Sequence, residues 1–426
     1  MRHVIIGNSI AAIHAIEAIR DHDQTGSVTV IARENEHVYG PPLISYWLEN
    51  RISTQDLFYR PEDFYLKNGV RLLSGVTALK IDPHQKQVII SSGEPVPFDR
   101  LLVACGGEPI IPPIPGLTLE NYYGFTRLSD ARGLKKVVRP GKEAVIVGGG
   151  LIGLKAAESL TRCGVKVTVL ELANQILGSI LPPNAAALVQ SRMEQEGVTF
   201  LLNNTLTQVE TASDGSQLLT ISSGGKLKAD LLIMAIGVRP AIGIATGTDL
   251  ATGRGILVDE FMRTNIENIY AAGDVAEERD LLTGKQRVNA ILPSASRQGA
   301  IAGANMAGGN ERSQGGLTFN SLQLFDLSLM TIGRILERDE ETTHTEQIHS
   351  RWRRRILCWT GDCLSGAILI NDPQGAGLLR DLIQTRKLIP DGKEKLQSGS
   401  EIINLPSAFW DDYLESATDA CRSTSA

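Results

Sequence analysis

Two glycine-containing turns carry the clearest chemistry in this sequence. The later turn, Gly148-Gly-Gly150-Leu-Ile-Gly153, has the spacing GxGxxG and lies between a β-branched strand pattern and a helical pattern. Glycines let the backbone approach a pyrophosphate closely, and the free N–H groups at a helix N-terminus attract its negative charge. The turn therefore predicts a dinucleotide site; the alternative is a glycine turn that only packs its helix on its strand.

A carboxylate accompanies this turn. Glu171 ends the strand pattern that follows the helix. In that position a carboxylate accepts hydrogen bonds from both ribose hydroxyls of NAD and repels the 2′-phosphate of NADP. The sequence therefore favours NAD(H), with Gly148, Gly150, Gly153 and Glu171 as the predicted binding residues.

The earlier turn, Gly7-Asn-Ser9-Ile-Ala-Ala12, is a degraded version of the same fingerprint. Ala12 still permits close helix packing, whereas Ser9 brings a Cβ and a hydroxyl toward the phosphates, and that hydroxyl could donate a hydrogen bond to them. Arg33 and Glu34 end the partner strand pattern, and Glu34 is the candidate for the adenosine ribose. The turn predicts a second nucleotide site.

Both turns lie in the same arrangement of elements. Each follows a short β-branched strand pattern and precedes an alanine-rich helical pattern and a further strand. Because one βαβ unit makes one nucleotide site, two copies predict an α/β fold with two Rossmann-like domains of the glutathione reductase type. The first copy spans His3–Gly7, Ile10–Arg20 and Ser27–Ile31, and the second spans Ala144–Gly148, Leu151–Cys163 and Val165–Leu170.

Composition excludes several classes of protein. Of the 426 residues 42% are hydrophobic, the formal net charge is −6, and no apolar run reaches the 18 or more residues of a membrane helix. With this negative net charge the protein has no overall positive potential that would attract nucleic acid. The N-terminal residues enter a strand pattern with no signal segment ahead of it, so we expect a soluble, cytoplasmic protein without a membrane span.

Cysteine and histidine spacing predicts no metal site. The five cysteines are odd in number and scattered, and neither they nor the seven histidines have the spacing of iron–sulfur or zinc ligands. If electrons leave singly, the receiving cluster is therefore expected on another protein. The cysteines are Cys105, Cys163, Cys358, Cys363 and Cys421.

Three further segments give a family resemblance. With the two turns they resemble the FAD-dependent pyridine nucleotide oxidoreductases over roughly residues 3–390. One segment, Asp99-Arg-Leu-Leu-Val-Ala-Cys105-Gly106, has Cys105 in place of the usual Thr. Another, from Ala229 to Pro240, contains Gly237. The third and most specific segment, from Thr264 to Ala276, is similar to the family's second FAD fingerprint.

The resemblance implies further FAD-binding residues and a domain plan. Asp274, after Gly273, would accept a hydrogen bond from the ribityl chain, and the helix around Gln298 would point toward the flavin pyrimidine. The implied plan has a discontinuous FAD-binding domain over 1–115 and 248–315, an NAD-binding domain over 116–247, a small C-terminal α+β interface domain over 316–390, and a tail over 391–426.

The segment Tyr39-Gly-Pro-Pro42-Leu-Ile-Ser45 and the small C-terminal domain narrow the resemblance. They are similar to the branch with rubredoxin and ferredoxin reductases, the flavin portion of NADH-dependent nitrite reductase, and flavin subunits of anaerobic complexes of the phenylglyoxylate dehydrogenase and tungsten aldehyde oxidoreductase type. Pro42 is accordingly a predicted cofactor-binding residue.

Departures from the family pattern concern the outlet for electrons. No cysteine precedes Cys105, so the thiol relay of the disulfide reductases is not expected, and the isoalloxazine itself would pass electrons on. Lys155 stands where relatives have Glu, while Pro41 and Tyr46 stand where they often have Arg or Lys. Our hypothesis is that Lys155 supplies the missing cation beside the flavin; the alternative is a solvated lysine on a helix.

Two other features receive less weight. Cys358 and Cys363 flank a predicted hairpin turn, where two facing cysteines are expected to be free thiols rather than a redox disulfide. The basic run Arg351-Trp-Arg-Arg-Arg355 could dock an acidic partner, but a charged edge strand that prevents aggregation is slightly favoured.

These observations predict a flavoprotein that exchanges electrons between NAD(H) and an iron–sulfur partner. The favoured role is an electron-transfer subunit of an aldehyde- or 2-oxoacid-oxidising complex. A stand-alone NADH:rubredoxin or ferredoxin reductase is the alternative, and a flavin-bearing binding protein without turnover is a third. The partner, the direction of electron flow and the oligomeric state stay open.

Overall fold

The computed structural model describes residues 1–213, 215–336 and 342–389. The chain divides into two compact units, residues 1–318 and the residues from Phe319 onward. The predicted tail over 391–426 lies outside the described residues. Across the described ranges, no helix combines the length and apolar character that crossing a bilayer requires.

The first sheet of the larger unit has five parallel strands. Aliphatic side chains such as Ile5, Val30 and Leu102 are fully buried in it, as parallel strands covered on both faces require. One edge strand comes from residues 269–271, so distant parts of the chain build this sheet. The strand order is Ile269–Ala271, Arg100–Val103, Arg2–Ile6, Ser27–Ala32 and Val70–Ser74.

A second parallel sheet repeats the pattern with four strands. Its central strands are again β-branched and buried, with Ile146 and Val169 fully inside. The strand order is Thr199–Leu202, Lys166–Glu171, Glu143–Val147 and Leu231–Met234. Both predicted βαβ units are therefore confirmed, with ends within two residues of those expected, and the fold class is confirmed with them.

Smaller sheets connect and cover these two. A two-stranded pair, Gly107–Pro109 with Val238–Pro240, joins the segment after Arg100–Val103 of the first sheet to the segment after Leu231–Met234 of the second. The other small sheets are Ala78–Asp82, Gln87–Ile90 and Val96–Pro97; Leu206–Thr211, Gln217–Ile221 and Lys226–Ala229; and Ile256–Leu257, Ala276–Arg279 and Gln286–Arg287.

Eight α-helices complete the described residues, and the first and seventh pack closely. A Cβ on Gly299 would lie 2.2 Å from the carbonyl oxygen of Ala11, and one on Gly303 would lie 2.3 Å from that of Ala15. Glycine is therefore required where these helices cross. The helices are α1 Ile10–His22, α2 Ile44–Leu48, α3 Phe64–Lys67, α4 Leu128–Val137, α5 Leu151–Arg162, α6 Pro183–Gln195, α7 Leu292–Met306 and α8 Ala376–Thr385.

The smaller unit has a five-stranded antiparallel sheet and helix α8, in line with the α+β character that the resemblance implied. Its fully buried Trp359 and Leu379 belong to the unit's own core. The strand order is Phe319–Leu324, Leu327–Gly333, Cys363–Ile370, Arg353–Thr360 and Thr342–Ser350.

The interpretation of the basic run as an edge strand is wrong. The strand Arg353–Thr360 pairs on both sides, with Cys363–Ile370 and with Thr342–Ser350. Arg353 and Arg355 both bind Asp372, at 2.8 Å each, and Arg355 is buried. The arginines therefore neutralise a buried carboxylate, which the sequence pattern alone did not reveal.

The cysteines of the hairpin are free thiols, as expected, but they do not face each other. Cys358 pairs in register with Gly366, and Cys363 pairs with Thr360. Burial raises the pKa of the Cys358 thiol to about 12. This unit therefore has no disulfide between the two positions.

Candidate functional site

The second glycine turn needs glycine at two positions for steric reasons. Gly148 has a φ of +114°, and a Cβ there would lie 2.3 Å from the carbonyl oxygen of Ala235. A Cβ on Gly153 would lie 1.9 Å from the carbonyl oxygen of Gly148. Gly150 is the N-cap of α5, and a Cβ there would meet no described atom within 4 Å. The turn thus leaves open space at a helix N-terminus.

Glu171 lies at this turn. Its Oε2 accepts a 2.6 Å hydrogen bond from the N–H of Gly149, and its Oε1 accepts one of 2.8 Å from Ala173. The carboxylate is therefore held beside the glycine backbone at the carboxyl end of the second parallel sheet. A ribose joined to a pyrophosphate on this turn would lie within reach of it, so the geometry fits the predicted contact.

The first turn has the same backbone shape. Gly7 has a φ of +113°, and a Cβ there would lie 2.1 Å from the carbonyl oxygen of Ala104. Ser9 is the N-cap of α1; its side chain is exposed and makes no capping hydrogen bond. Ala12 is fully buried. The Ser9 hydroxyl is therefore available at a helix N-terminus that can hold an anion.

Cys105 and Gly106 follow directly behind this turn. The Cys105 thiol donates a 3.4 Å hydrogen bond to the carbonyl oxygen of Ala241, and burial raises its pKa to about 12. Gly106 has a φ of +71°, open space beside it, and a carbonyl that accepts from the N–H of Ala241 at 2.9 Å. The thiol is thus protonated at neutral pH and serves packing between two crossing segments.

Gly237 lies in that second crossing segment. Its φ is +127°, and its carbonyl accepts a 3.0 Å hydrogen bond from the N–H of Ile110. Because this conformation strongly favours glycine, Gly237 allows the chain to leave the second parallel sheet and run back beside residues 107–109.

Glu34 lies two residues beyond its strand, which ends at Ala32. It accepts a 2.8 Å hydrogen bond from the hydroxyl of Tyr39, and that hydroxyl in turn accepts one of 3.1 Å from the N–H of Leu128. Burial raises the pKa of Tyr39, so the hydroxyl stays a donor. Pro42 is exposed in a 3₁₀ turn nearby in sequence. Sequence reasoning did not identify Tyr39 as the residue that orients Glu34.

Asp274 stands in the second fingerprint segment. Burial raises the pKa of its carboxyl group, and no hydrogen bond to it is made by any residue in the described ranges. The preceding Gly273 has a φ of +80°, and its N–H donates a 2.7 Å hydrogen bond to Oε1 of the fully buried Gln298. Gln298 therefore holds the backbone next to Asp274.

Lys155 lies in a cluster of charges between α2 and α5. Its Nζ is 2.5 Å from Oε2 of Glu158 and 4.6 Å from the centre of the Tyr46 ring. Arg162 contacts both Glu158 at 3.2 Å and Glu49 at 3.8 Å, and Arg51 contacts Glu49 at 3.4 Å. The two carboxylates are almost fully buried, so their cations are required partners.

Helix α2 is held in this place by side chains from far along the chain. The Ser159 hydroxyl lies 2.9 Å from the carbonyl oxygen of Ser45, and the Lys135 Nζ donates to that of Trp47 at 2.7 Å. A helix of five residues cannot satisfy its own carbonyls. Its position therefore depends on α4 and α5, a dependence that no local pattern signals.

The residues present fit FAD and NAD(H). Each turn offers a helix N-terminus with backbone N–H groups that can hold a pyrophosphate, and a glutamate, Glu34 or Glu171, lies at or just beyond the end of the strand that follows the turn's helix. The carboxylate of Asp274 has acceptor capacity that no described residue uses. The site thus has anion donors at two helix ends and acceptors for hydroxyl groups, as two dinucleotides require.

Comparison with known proteins agrees with this geometry. The family model described as pyridine nucleotide-disulphide oxidoreductase matches residues 1–299. The chain is 32% identical to the NADH-dependent phenylglyoxylate dehydrogenase subunit epsilon of Aromatoleum evansii, over 90% of this chain and 92% of that protein. It is 31% identical to the rubredoxin-NAD(+) reductase of Pseudomonas putida, over 72% and 80%. It spans about half the length of some other curated relatives.

A solved structure has the same fold. The covalent putidaredoxin reductase–putidaredoxin complex matches with a TM-score of 0.86 at 22% identity, covering 94% of this chain and 99% of the matched chain. At that identity the likeness shows the fold alone.

Proposed function

Because the chain belongs to the pyridine nucleotide-disulphide oxidoreductase family, we propose that it is an electron-transfer subunit that exchanges electrons between NAD(H) and an iron–sulfur partner protein. The chain is an FAD-dependent NAD(H) oxidoreductase. The proposal adds the partner and the setting, which is a complex that oxidises an aldehyde or a 2-oxo acid.

One observation carries the proposal: the chain lacks the thiols that a disulfide mechanism needs. No cysteine occurs in residues 1–104. The next one, Cys105, is hydrogen-bonded to Ala241 and has its pKa raised to about 12, so it supplies no thiolate at neutral pH. Electrons then have no thiol outlet near the first turn, which favours direct transfer to a separate acceptor.

The assignment of residues follows the two turns. We propose that Gly7, Ser9, Ala12 and Glu34 hold the adenosine diphosphate part of FAD, within a domain of residues 1–115 and 248–315. Pro42, Cys105, Gly106, Gly273, Asp274 and Gln298 would surround its remainder. Gly148, Gly150, Gly153 and Glu171 hold NAD(H), within residues 116–247, and Gly237 shapes the segment between them. A C-terminal α+β interface domain is proposed over 316–390.

Bound FAD supplies the redox chemistry, since it accepts a hydride and can release electrons one at a time. The protein's part is orientation: two helix N-termini would hold the two pyrophosphates. No side chain is assigned as a proton donor or acceptor for hydride transfer. The epsilon subunit named above supports a role inside a larger complex.

Lys155 is proposed as a cation that favours the reduced flavin. The cluster around it combines Lys155, Arg162 and Arg51 with the carboxylates of Glu158 and Glu49. Replacing Lys155 by Met should lower the flavin midpoint potential, because a cation near the ring stabilises the charge gained on reduction. Arg162→Met is the control, since it also removes a contact to Glu158 but lies about two helical turns beyond Lys155. An unchanged midpoint potential in Lys155→Met would contradict the proposed role.

A stand-alone reductase for a diffusing carrier is the alternative, and the match to a rubredoxin-NAD(+) reductase favours it. Purification from native cells under anaerobic conditions distinguishes the two. A subunit elutes with iron-bearing proteins at fixed stoichiometry, whereas a free reductase elutes without them. A flavin-bearing binding protein without turnover would show bound FAD and no bleaching of the flavin band by NADH.

A cysteine variant tests the thiol-free route directly. The full chain carrying Cys163→Ser and Cys105→Thr, which restores the residue that the family usually has at position 105, should reduce an iron–sulfur acceptor with NADH at the wild-type rate. A large loss of that rate with FAD retained would contradict the proposal. We also propose a cytoplasmic location, which fits the four free thiols among the described residues.

A further inference from the structure

A buried carboxylate lies behind the second FAD fingerprint and takes no part in the assignments above. Glu278 is in the strand Ala276–Arg279, and its side chain is only 2% exposed. Its Oε1 accepts hydrogen bonds of 2.6 Å from the Nε2 of Gln298 and 2.6 Å from the guanidinium of Arg297. Its Oε2 accepts one of 3.1 Å from the hydroxyl of Ser313.

This arrangement decides which way the Gln298 amide points. A carboxylate only accepts hydrogen bonds, so the amide nitrogen of Gln298 must face Glu278. The amide oxygen then faces the other way, where it accepts from the N–H of Gly273 at 2.7 Å. Gln298 is fully buried, so no solvent can replace either bond.

The peptide that this hydrogen bond restrains directly precedes Asp274, a proposed FAD-binding residue. Gly273 has a φ of +80° and stands immediately before Asp274. A peptide that is free to rotate at this position would change the direction of the Asp274 side chain. The hydrogen bond from Gly273 to Gln298 removes that freedom, and Glu278 maintains the acceptor that makes it.

We infer that Glu278 is a positioning residue for FAD binding, which acts through the Gln298 amide on the Gly273 peptide and so on Asp274. The inference rests on the proposed FAD site. It assigns to Gln298 a role within the protein, because its amide oxygen accepts from Gly273 and its amide nitrogen donates to Glu278. Arg297 balances the charge of Glu278 from a partly exposed position.

Binding of FAD to the full-length apoprotein, followed by quenching of flavin fluorescence, tests this role. In Glu278→Gln the new amide allows Gln298 to turn over, and we expect the dissociation constant of FAD to rise at least about tenfold. Ser313→Ala is the control: Ser313 contacts Glu278 but not Gln298, and loss of its neutral hydroxyl should change the dissociation constant of FAD by no more than about threefold. The melting temperature of each apoprotein reports on folding.

A paired exchange gives the sharper test. Gln298→Glu alone places two carboxylates together and should weaken FAD binding strongly. In the double variant Glu278→Gln/Gln298→Glu, the amide of residue 278 donates to the new carboxylate, whose other oxygen accepts from Gly273. The double variant should therefore bind FAD more tightly than Gln298→Glu by at least about tenfold.

The outcomes separate this inference from the proposed function. If the wild-type apoprotein takes up no FAD, the proposed site fails. If it binds FAD and Glu278→Gln binds equally well, only the positioning role is overturned. Should Glu278→Gln not fold, the comparison of Gln298→Glu with the double variant decides, and an equal affinity of those two overturns the inference.

Discussion

The two βαβ turns reach nearly the same backbone shape with different residues. Gly7 and Gly148 have φ values of +113° and +114°, and each lies against a carbonyl oxygen of the neighbouring strand's end. At the third position of the fingerprint the turns differ. Gly153 has no room for a Cβ beside Gly148, whereas Ala12 is accommodated and fully buried.

The difference shows where a helix approaches neighbouring backbone most closely in each of the two βαβ halves. In the second half the tight approach is between helix α5 and its own turn, so glycine is needed within the fingerprint. In the first half it lies between α1 and α7, where Gly299 and Gly303 stand against the carbonyls of Ala11 and Ala15. In the first half the residue that must be glycine therefore lies on another helix, and position 12 of the fingerprint accommodates a Cβ.

The largest expected effect comes from the first glycine of each turn. Gly148→Ala should lower NADH affinity about 100-fold or more and leave FAD bound, because a Cβ at positive φ meets the Ala235 carbonyl. Gly7→Ala should give protein without FAD. Absorbance of bound flavin and its reduction by NADH measure the two effects. Loss of both cofactors in both variants would mean that the turns are not separate sites.

The third position gives the next largest effect. Gly153→Ala should raise the KM for NADH about tenfold, since its Cβ would displace the Gly148 carbonyl. Ala12→Gly is the matched change in the other turn. It should cost about 1 kcal/mol of helix stability and alter FAD affinity only about threefold. Equal effects at positions 12 and 153 would contradict the interpretation that only the second turn requires glycine at this position.

The preference for NADH over NADPH tests the role of Glu171, with Glu143 of the same sheet as the comparison. Glu171→Gln should raise the KM for NADH about tenfold and reduce the discrimination against NADPH, because charge-assisted hydrogen bonds are worth about 1.5–3 kcal/mol. Glu143→Gln, at the amino end of the same sheet, serves as the control and should change neither value. Steady-state kinetics with both nucleotides measure this; unchanged discrimination in Glu171→Gln would remove Glu171 from the site.

The smallest effect is expected at the residue that differs most visibly between the turns. Ser9→Ala should weaken FAD binding by about 0.5–1.5 kcal/mol, the value of one hydrogen bond. The melting temperature of the apoprotein should stay the same, because Ser9 makes no capping bond. Ser9→Thr keeps the hydroxyl and should bind FAD normally. If Ser9→Ala lowers the melting temperature instead, the serine caps the helix and does not contact phosphate.

Local sequence was sufficient for the two βαβ units, the identity of the glycine turns and the hairpin turn between Cys358 and Cys363. These features depend on side-chain periodicity and on steric limits at single residues, which act over a few neighbouring positions. The position of Glu171 at the end of its strand was accessible for the same reason.

Tertiary structure alone decided the charge pairs that join distant segments of the chain. The sequence shows Lys155, Glu158 and Arg162 on one helix, but only folding brings Glu49, the residue after α2, against Arg162. It also places Glu278 behind Gln298 and makes Arg355 a partner of Asp372 instead of an exposed charge. A buried charge pairs with an opposite charge that packing brings within about 4 Å. Where that opposite charge comes from a distant segment of the chain, no local pattern specifies the pair.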